Sequence, residues 1–368
     1  MVSNLDKLAQ YGKKTGIEKK SFENELKSKL SEIPDNLKKR QKNKAISKHI
    51  ALKMINKNQK SPLKKSYWNT YYCSEKIEYD SQDHSIKTRY CKNRVCIVCN
   101  RIRMGQNIKE YVPLVSSWNE VGFVTLSTTN CIEGNIRAQV NEYMKVIELI
   151  KKQYNRQKIV ELKSFGYNDY EIQKLIYQYP SEYKLQAIVK IEVTYNNIKN
   201  TFHPHLHLLV NGYNQSDFIS NNFVEKMTKR GMTIDSKAQM VMKADVDTVI
   251  EMMKYFTKVL QRDKNGNLYL PEKKLDSILR ELYKVPLVRC IGIDKKEREF
   301  YKSKFEKIAN IKVDLGNKDR VFNWVNLIFN WVDQNGEMLL NTEIPIEYEN
   351  YIKGVTETLK ISKKEFTD

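Results

Sequence analysis

Hydrophobic and polar positions divide the chain into stretches of two periodicities. Helical spacing first shows at Ile46, Ile50, Leu52, Met54 and Ile55, set among Lys44, Lys48, Lys53 and Lys57, and it predicts basic helices within residues 1–65. VGFVTLSTTN (121–130) reads as a strand ending in a polar turn, followed by a helical stretch over about 135–160. A Tyr-rich segment, KSFGYNDYEIQKLIYQYPSEYK, reads as part of a helical insertion over about 155–185. AIVKIEVTY (187–195) and TFHPHLHLLVNG (201–212) predict two strands joined by the polar turn NNIKN, a hairpin signal. Helical spacing returns from Asp245 to Gln261, with Val246, Ile250, Met253 and Leu260 on an apolar stripe that stops at the turn residues 263–267. Residues 271–368 are expected to be helical, with Trp324 and Trp331, before a charged tail.

These stretches suggest four segments: a basic helical region over 1–65, a Cys cluster over 66–110, an α+β segment over 111–270 and a helical C-terminal region over 271–368. A chain of 368 residues, 40% hydrophobic and 10% aromatic, can bury real cores, which excludes wholesale disorder. The opening MVSNLDKLAQYGKK has no apolar signal region and no window suits a membrane span, so a cytoplasmic location without membrane partners is expected.

Charge adds a partner. The chain carries 64 Lys+Arg against 44 Asp+Glu, a net +20, which points to a polyanion. The excess is uneven: residues 1–65 hold 18 basic and 6 acidic side chains, a net +12, and no acidic residue occurs from Asn36 to Ser74. Blocks of this kind contact nucleic-acid backbone, which makes Lys38, Lys39 and Arg40 candidate DNA contacts; a solvated charged arm is the other reading.

Six cysteines are too few for a disulfide scaffold, yet Cys73, Cys91, Cys96 and Cys99 fall close together, as in a metal cluster in a reducing compartment. Cys91-x4-Cys96-x2-Cys99 supplies three thiolates, with Cys73 the natural fourth and His84 its substitute; four ligands would make a structural Zn²⁺ site with no open position. Arg94, Arg101 and Arg103, with Arg89, are placed beside it for phosphate contact. Cys131 and Cys290 read as buried thiols.

Three of five histidines are His203, His205 and His207. On a strand these share one face, while Phe202, Leu206, Leu208 and Val210 pack on the other. Centring the hairpin near Ile198 places Glu192 across from the His203–His205 region, so a Glu and two His can converge on one divalent cation; Mg²⁺, Mn²⁺ and Zn²⁺ all suit this mixed donor set. On the 245–261 helix, Glu251, Tyr255 and Lys258 follow at i, i+4 and i+7, bringing a carboxylate, a phenol and an ammonium to one face.

LST within GFVTLSTTN, then HPHLHLLV, then the E-x-x-x-Y-x-x-K of EMMKYFTK, together resemble the three motifs of rolling-circle plasmid replication initiators, which are HUH (His-hydrophobic-His) endonucleases. The likeness is to the small Gram-positive-plasmid type with one catalytic Tyr and a Glu. CKNRVCIVCNR resembles that group's C-x-x-R-x-C-P-x-C segment, with Ile97 in place of Pro. The resemblance spans about residues 70–290. It implies an α+β fold with an antiparallel sheet flanked by helices, carrying a zinc-binding segment and added helical regions.

Residue by residue, it implies that His205 and His207 bind a catalytic Mg²⁺ or Mn²⁺, with Glu192 as third ligand and His203 as a further candidate. Tyr255 would attack DNA, Glu251 would activate water at termination and Lys258 would assist the phosphate. The implied partners are plasmid origin DNA, as duplex and single-stranded hairpin, with a bacterial host's helicase and DNA polymerase; oligomeric state is left open. Two other readings stay open: a single-Tyr relaxase or transposase with the same chemistry, and a non-catalytic zinc-containing DNA-binding regulator.

Overall fold

The computed structural model describes residues 37–235, 238–253, 261–262, 268–269, 271–303, 315 and 317–340. In chain order the elements are α1 (Leu37–Lys57), α2 (Lys64–Tyr71), β1 (Lys76–Asp80), β2 (Ser85–Thr88), α3 (Ile97–Ser117), β3 (Val121–Ser127), α4 (Ile136–Ser164), α5 (Asp169–Gln178) and α6 (Pro180–Tyr183). There follow β4 (Ala187–Asn196), β5 (Thr201–Asn211), α7 (Tyr213–Thr228), β6 (Met240–Lys243), α8 (Val246–Met253), β7 (Gln261–Arg262) and β8 (Leu268–Tyr269). The last are α9 (Glu272–Glu281), β9 (Val288–Ile291), α10 (Lys295–Ser303), β10 (Arg320–Val325) and β11 (Asn330–Val332). The architecture is α+β with antiparallel sheets. The described residues form two compact units, 107–253 with 281–303, and 37–106 with 261–280 and 315–340.

The first unit is built on a five-stranded sheet in the order β6-β3-β5-β4-β9, antiparallel throughout. Strand alternation puts Ala187, Val189 and Ile191 of β4, Leu206, Leu208 and Val210 of β5, and Val124 and Leu126 of β3 on one face, all buried. Each Val, Leu and Ile of this set contributes about 1.5–3 kcal/mol on burial, and a one-residue slip would turn the whole set outward, so the pattern fixes the register. Helices α4 and α7 cover this face. Their Tyr143 and Phe223 rings meet edge to face at 5.5 Å, and the Tyr143 hydroxyl donates to the Pro204 carbonyl at 3.3 Å. A Cβ on Gly122 would stand 1.9 Å from Ser216 Oγ, so only glycine lets α7 approach β3. The Tyr-rich insertion forms α5 and α6; Asn168 and Glu171 cap α5 reciprocally, and Leu162, Ile172 and Ile176 bury together.

The second unit holds a four-stranded antiparallel sheet in the order β11-β10-β1-β2. Ile77 and Tyr79 of β1 pack with Phe322, Trp324 and Trp331 of β10 and β11 and with Ala45 of α1. A second cluster joins Ile50, Met54 and Ile55 of α1 to Tyr67, Val95, Leu275 and Leu279.

Two expectations change here. Among the described residues the C-terminal region is helical only in α9 and α10 and also supplies β9, β10 and β11. RVFNWV (320–325) buries Phe322 and Trp324 and exposes Val321 and Asn323, a period of two that marks a strand, not a helix. The basic helix within 1–65 is present as α1, but it is a core element rather than a solvated arm. Lys44 and Lys48, 1% and 2% exposed in their side chains, both bind Glu75, at 2.8 and 3.1 Å. Lys48 also lies over the Tyr71 ring at 4.0 Å. The acid-free run ends at the carboxylate that these two ammonium groups share.

Candidate metal centres

On the other face of the five-stranded sheet, register decides which side chains meet. Glu192 lies directly opposite His205, Lys190 opposite His207, and on the other flank Thr125 opposite His207. The hairpin pairing sums to 397 rather than the anticipated 396, which moves Glu192 squarely onto His205 and away from His203. Glu192 Oε2 is 3.4 Å from His205 Nε2 and 3.6 Å from His207 Nε2. The donor atoms of these three residues lie within 4.8 Å of one another.

Ligand bonds of about 2.1 Å hold neighbouring donors roughly 3.0–3.4 Å apart around a divalent ion, so this set fits a cation with little movement. His205 Nδ1 is 3.1 Å from the His203 carbonyl, which only accepts, so Nδ1 donates there and Nε2 is the atom turned to Glu192. His207 Nδ1 is 3.1 Å from Thr125 Oγ1, and its ring stacks on Phe123 at 5.4 Å. Burial by itself would raise the Glu192 carboxyl. The His205 and His207 rings and the Lys190 ammonium beside it instead hold it far below the usual carboxylate range.

His203 shares the face but not the cluster. Its Nδ1 pairs with Asn130 Oδ1 at 2.9 Å, and burial, then the neighbouring His205, lowers its pKa. Of the helix triplet, Glu251 lies on the exposed side of α8, whose Val246, Ile250 and Met253 are buried as the apolar stripe predicts. Tyr255 and Lys258 lie outside the described residues.

The second centre is Cys73, Cys91, Cys96 and Cys99, whose sulfurs all lie within 4.8 Å of one another. Cys73 Sγ and Cys91 Sγ are each 3.6 Å from Cys99 Sγ. Tetrahedral zinc with 2.3 Å bonds needs sulfurs about 3.8 Å apart, so four thiolates can hold a metal ion such as zinc here. Lys92 N–H points to Cys99 Sγ at 3.2 Å and Cys91 N–H to Cys73 Sγ at 3.4 Å, donors that favour thiolate over thiol. Mutual hydrogen bonding drives Cys91 and Cys99 down in pKa and Cys73 and Cys96 up. The turn after Cys73 and that after Cys91 each need a left-handed residue, Ser74 at φ 56° and Lys92 at φ 56°. Cys73 is therefore the fourth sulfur, and His84 instead meets the Tyr79 hydroxyl at 2.8 Å.

The arginines near this centre are partly committed to it. Arg103 donates to the Asn93 carbonyl at 3.2 Å and to the Lys92 carbonyl, bracing the Cys91–Cys96 turn. Arg101 contacts Met104 Sδ at 3.9 Å, and Arg94 is half-buried. Lys38, Lys39 and Arg40 fall in the first turn of α1.

Two residues of the His/Glu centre escape sequence reasoning as participants. Lys190 is buried with its Nζ 2.6 Å from Glu192 Oε1, and Thr125 orients His207. A single Lys inside the apolar run AIVKIEV, two residues from Glu192, is the signal for the first. The Cys131 and Cys290 thiols are half-buried, with desolvation raising them to about 11 and about 12. Fold and sites together define an α+β protein with, among the described residues, two candidate metal centres, one all-sulfur and one His₂Glu. Comparison of the chain with protein-family models, with curated proteins and with solved structures finds no match in any of the three.

Proposed function

We propose that this chain is a metal-dependent HUH-type endonuclease that nicks one DNA strand through a tyrosine nucleophile and initiates rolling-circle replication of a plasmid. The observation that carries this reading is the convergence of Glu192, His205 and His207 on neighbouring antiparallel strands, with the His strand β5 at the middle of its sheet. The motif order supports it: LST on β3, the His pair on β5, then Glu251 on α8 ahead of Tyr255 and Lys258. The net +20 and the Arg-flanked Cys centre suit a polyanionic partner such as origin DNA.

In this reading His205, His207 and Glu192 hold Mg²⁺ or Mn²⁺, which would supply Lewis-acid polarisation of the scissile phosphate. The Tyr255 oxygen attacks phosphorus in line and the P–O3′ bond breaks. The phenolic proton is released, the departing 3′ oxygen is protonated to the priming 3′-OH, and the 5′ phosphate stays on Tyr255. At termination Glu251 takes a proton from the water that cleaves the newly made strand, and Lys258 pairs with the phosphate charge. Replication, conjugative transfer and transposition share this chemistry and differ in the DNA that is cut.

Supercoiled DNA carrying the gene and its flanking sequence tests the reading. Conversion to nicked circles should require Mg²⁺ or Mn²⁺ and fall at least 100-fold in His205→Ala. Salt-sensitive binding without any nick would instead make the chain a non-catalytic zinc-containing regulator.

A further inference from the structure

Lys190 is the lysine of β4 that reaches the His205/His207/Glu192 centre. Its side chain is 8% exposed, and its Nζ binds Glu192 Oε1 at 2.6 Å. The other oxygen of the same carboxylate, Oε2, is the one turned to His205 and His207. Lys190 and Glu192 are two residues apart on β4 and share its face, so no loop motion is needed to keep them together.

This arrangement has two physical consequences. With Oε1 already accepting a strong charge-assisted hydrogen bond, Glu192 presents one oxygen rather than two to a cation. The charges also cancel: the Lys190 ammonium offsets the one negative charge that the centre offers a cation, the Glu192 carboxylate. A dication entering the centre is attracted by Glu192 and repelled by Lys190 at close range. A structural divalent site would gain from the absence of that lysine. A site that must let go of its cation, or take it up together with an anion, gains from its presence.

We propose that Lys190 is a charge-balancing, positioning residue that keeps the His205/His207/Glu192 centre weak for a free divalent cation and makes cation and DNA phosphodiester bind cooperatively. The inference rests on the metal reading of that centre. A phosphodiester oxygen takes the Lys190 ammonium from Glu192 Oε1 and so frees that oxygen for the cation, and each ligand then raises the affinity for the other by the same factor.

The test uses the full, zinc-loaded chain and measures Mn²⁺ affinity from the electron paramagnetic resonance signal of free Mn²⁺, alone and with a short mixed-sequence DNA single strand. The wild type should bind Mn²⁺ weakly alone and at least several-fold more tightly with DNA. Lys190→Met, which keeps the length and apolar stem of the side chain, should bind free Mn²⁺ about tenfold more tightly and lose most of the DNA-dependent gain. Lys190→Arg, which retains the charge, should behave as wild type, and circular dichroism checks that both variants fold. Unchanged or weaker Mn²⁺ binding by Lys190→Met, with wild-type binding abolished by His205→Ala, overturns the role of Lys190 alone. Wild-type Mn²⁺ binding that is absent, or indifferent to His205→Ala, overturns the metal reading beneath it.

Discussion

The His205 and His207 imidazoles aim Nε2 at one carboxylate oxygen because hydrogen bonds at Nδ1 fix each ring, to the His203 carbonyl and to Thr125. Single residues elsewhere carry comparable electrostatic weight. His49 of α1 is buried, and desolvation, then Lys53, lowers its pKa to about 4 from 6.5. The folded chain thus resists protonating a group that the unfolded chain protonates readily. Stability from this source is fully present above pH 6.5 and is lost as pH falls through 6.5 towards 4, by up to about 3 kcal/mol. Chemical denaturation of wild type and His49→Gln from pH 7 to 4.5 checks it: the wild type should lose the additional stability and the variant should not. At this scale the sequence made the His pair and Glu192 legible, since alternation on a strand is strict. The Lys44–Glu75–Lys48 triad and Lys190–Glu192 were not legible, because whether a lysine faces water or a carboxylate depends on what packs beside its strand or helix.

Elements differ in how locally they are written. The β4–β5 hairpin is encoded in one continuous stretch, and its predicted bounds match the strands within a residue or two. β10 was taken for helix because its partner β1 lies far away in the chain, with Lys76 opposite Asn323, and nothing local announces the pairing. Helix α7 also went unread, its Ser, Asn and Gln content masking the buried Ile219, Phe223 and Met227. The Cys centre behaves as one element. It ties the end of α2 and the stretch after β2 to the start of α3, and its own buried cluster is small, Cys73, Cys96, Val98 and Cys99, so the metal would do much of the packing there. Cys96→Ser should abolish stoichiometric zinc and lower stability by about 3 kcal/mol or more, read by metal analysis and thermal unfolding with and without chelator. Unchanged zinc content would remove the site.

For the molecule as a whole, two compact units interleave along the chain, which is why linear segmentation into four regions does not describe them. Among the described residues no helix is long and apolar enough to cross a membrane. The +20 net charge is distributed so that part of it, Lys44 and Lys48, serves packing around Glu75 rather than a ligand. The functional account therefore rests less on total charge than on the His₂Glu centre acting with Tyr255. The decisive measurement is mass spectrometry of the chain after incubation with Mn²⁺ and single-stranded DNA from the nicked site. The account predicts one covalent 5′-phosphotyrosyl adduct, located at Tyr255 and absent in Tyr255→Phe. An adduct that survives in Tyr255→Phe, or a nick made with no covalent intermediate, would contradict it.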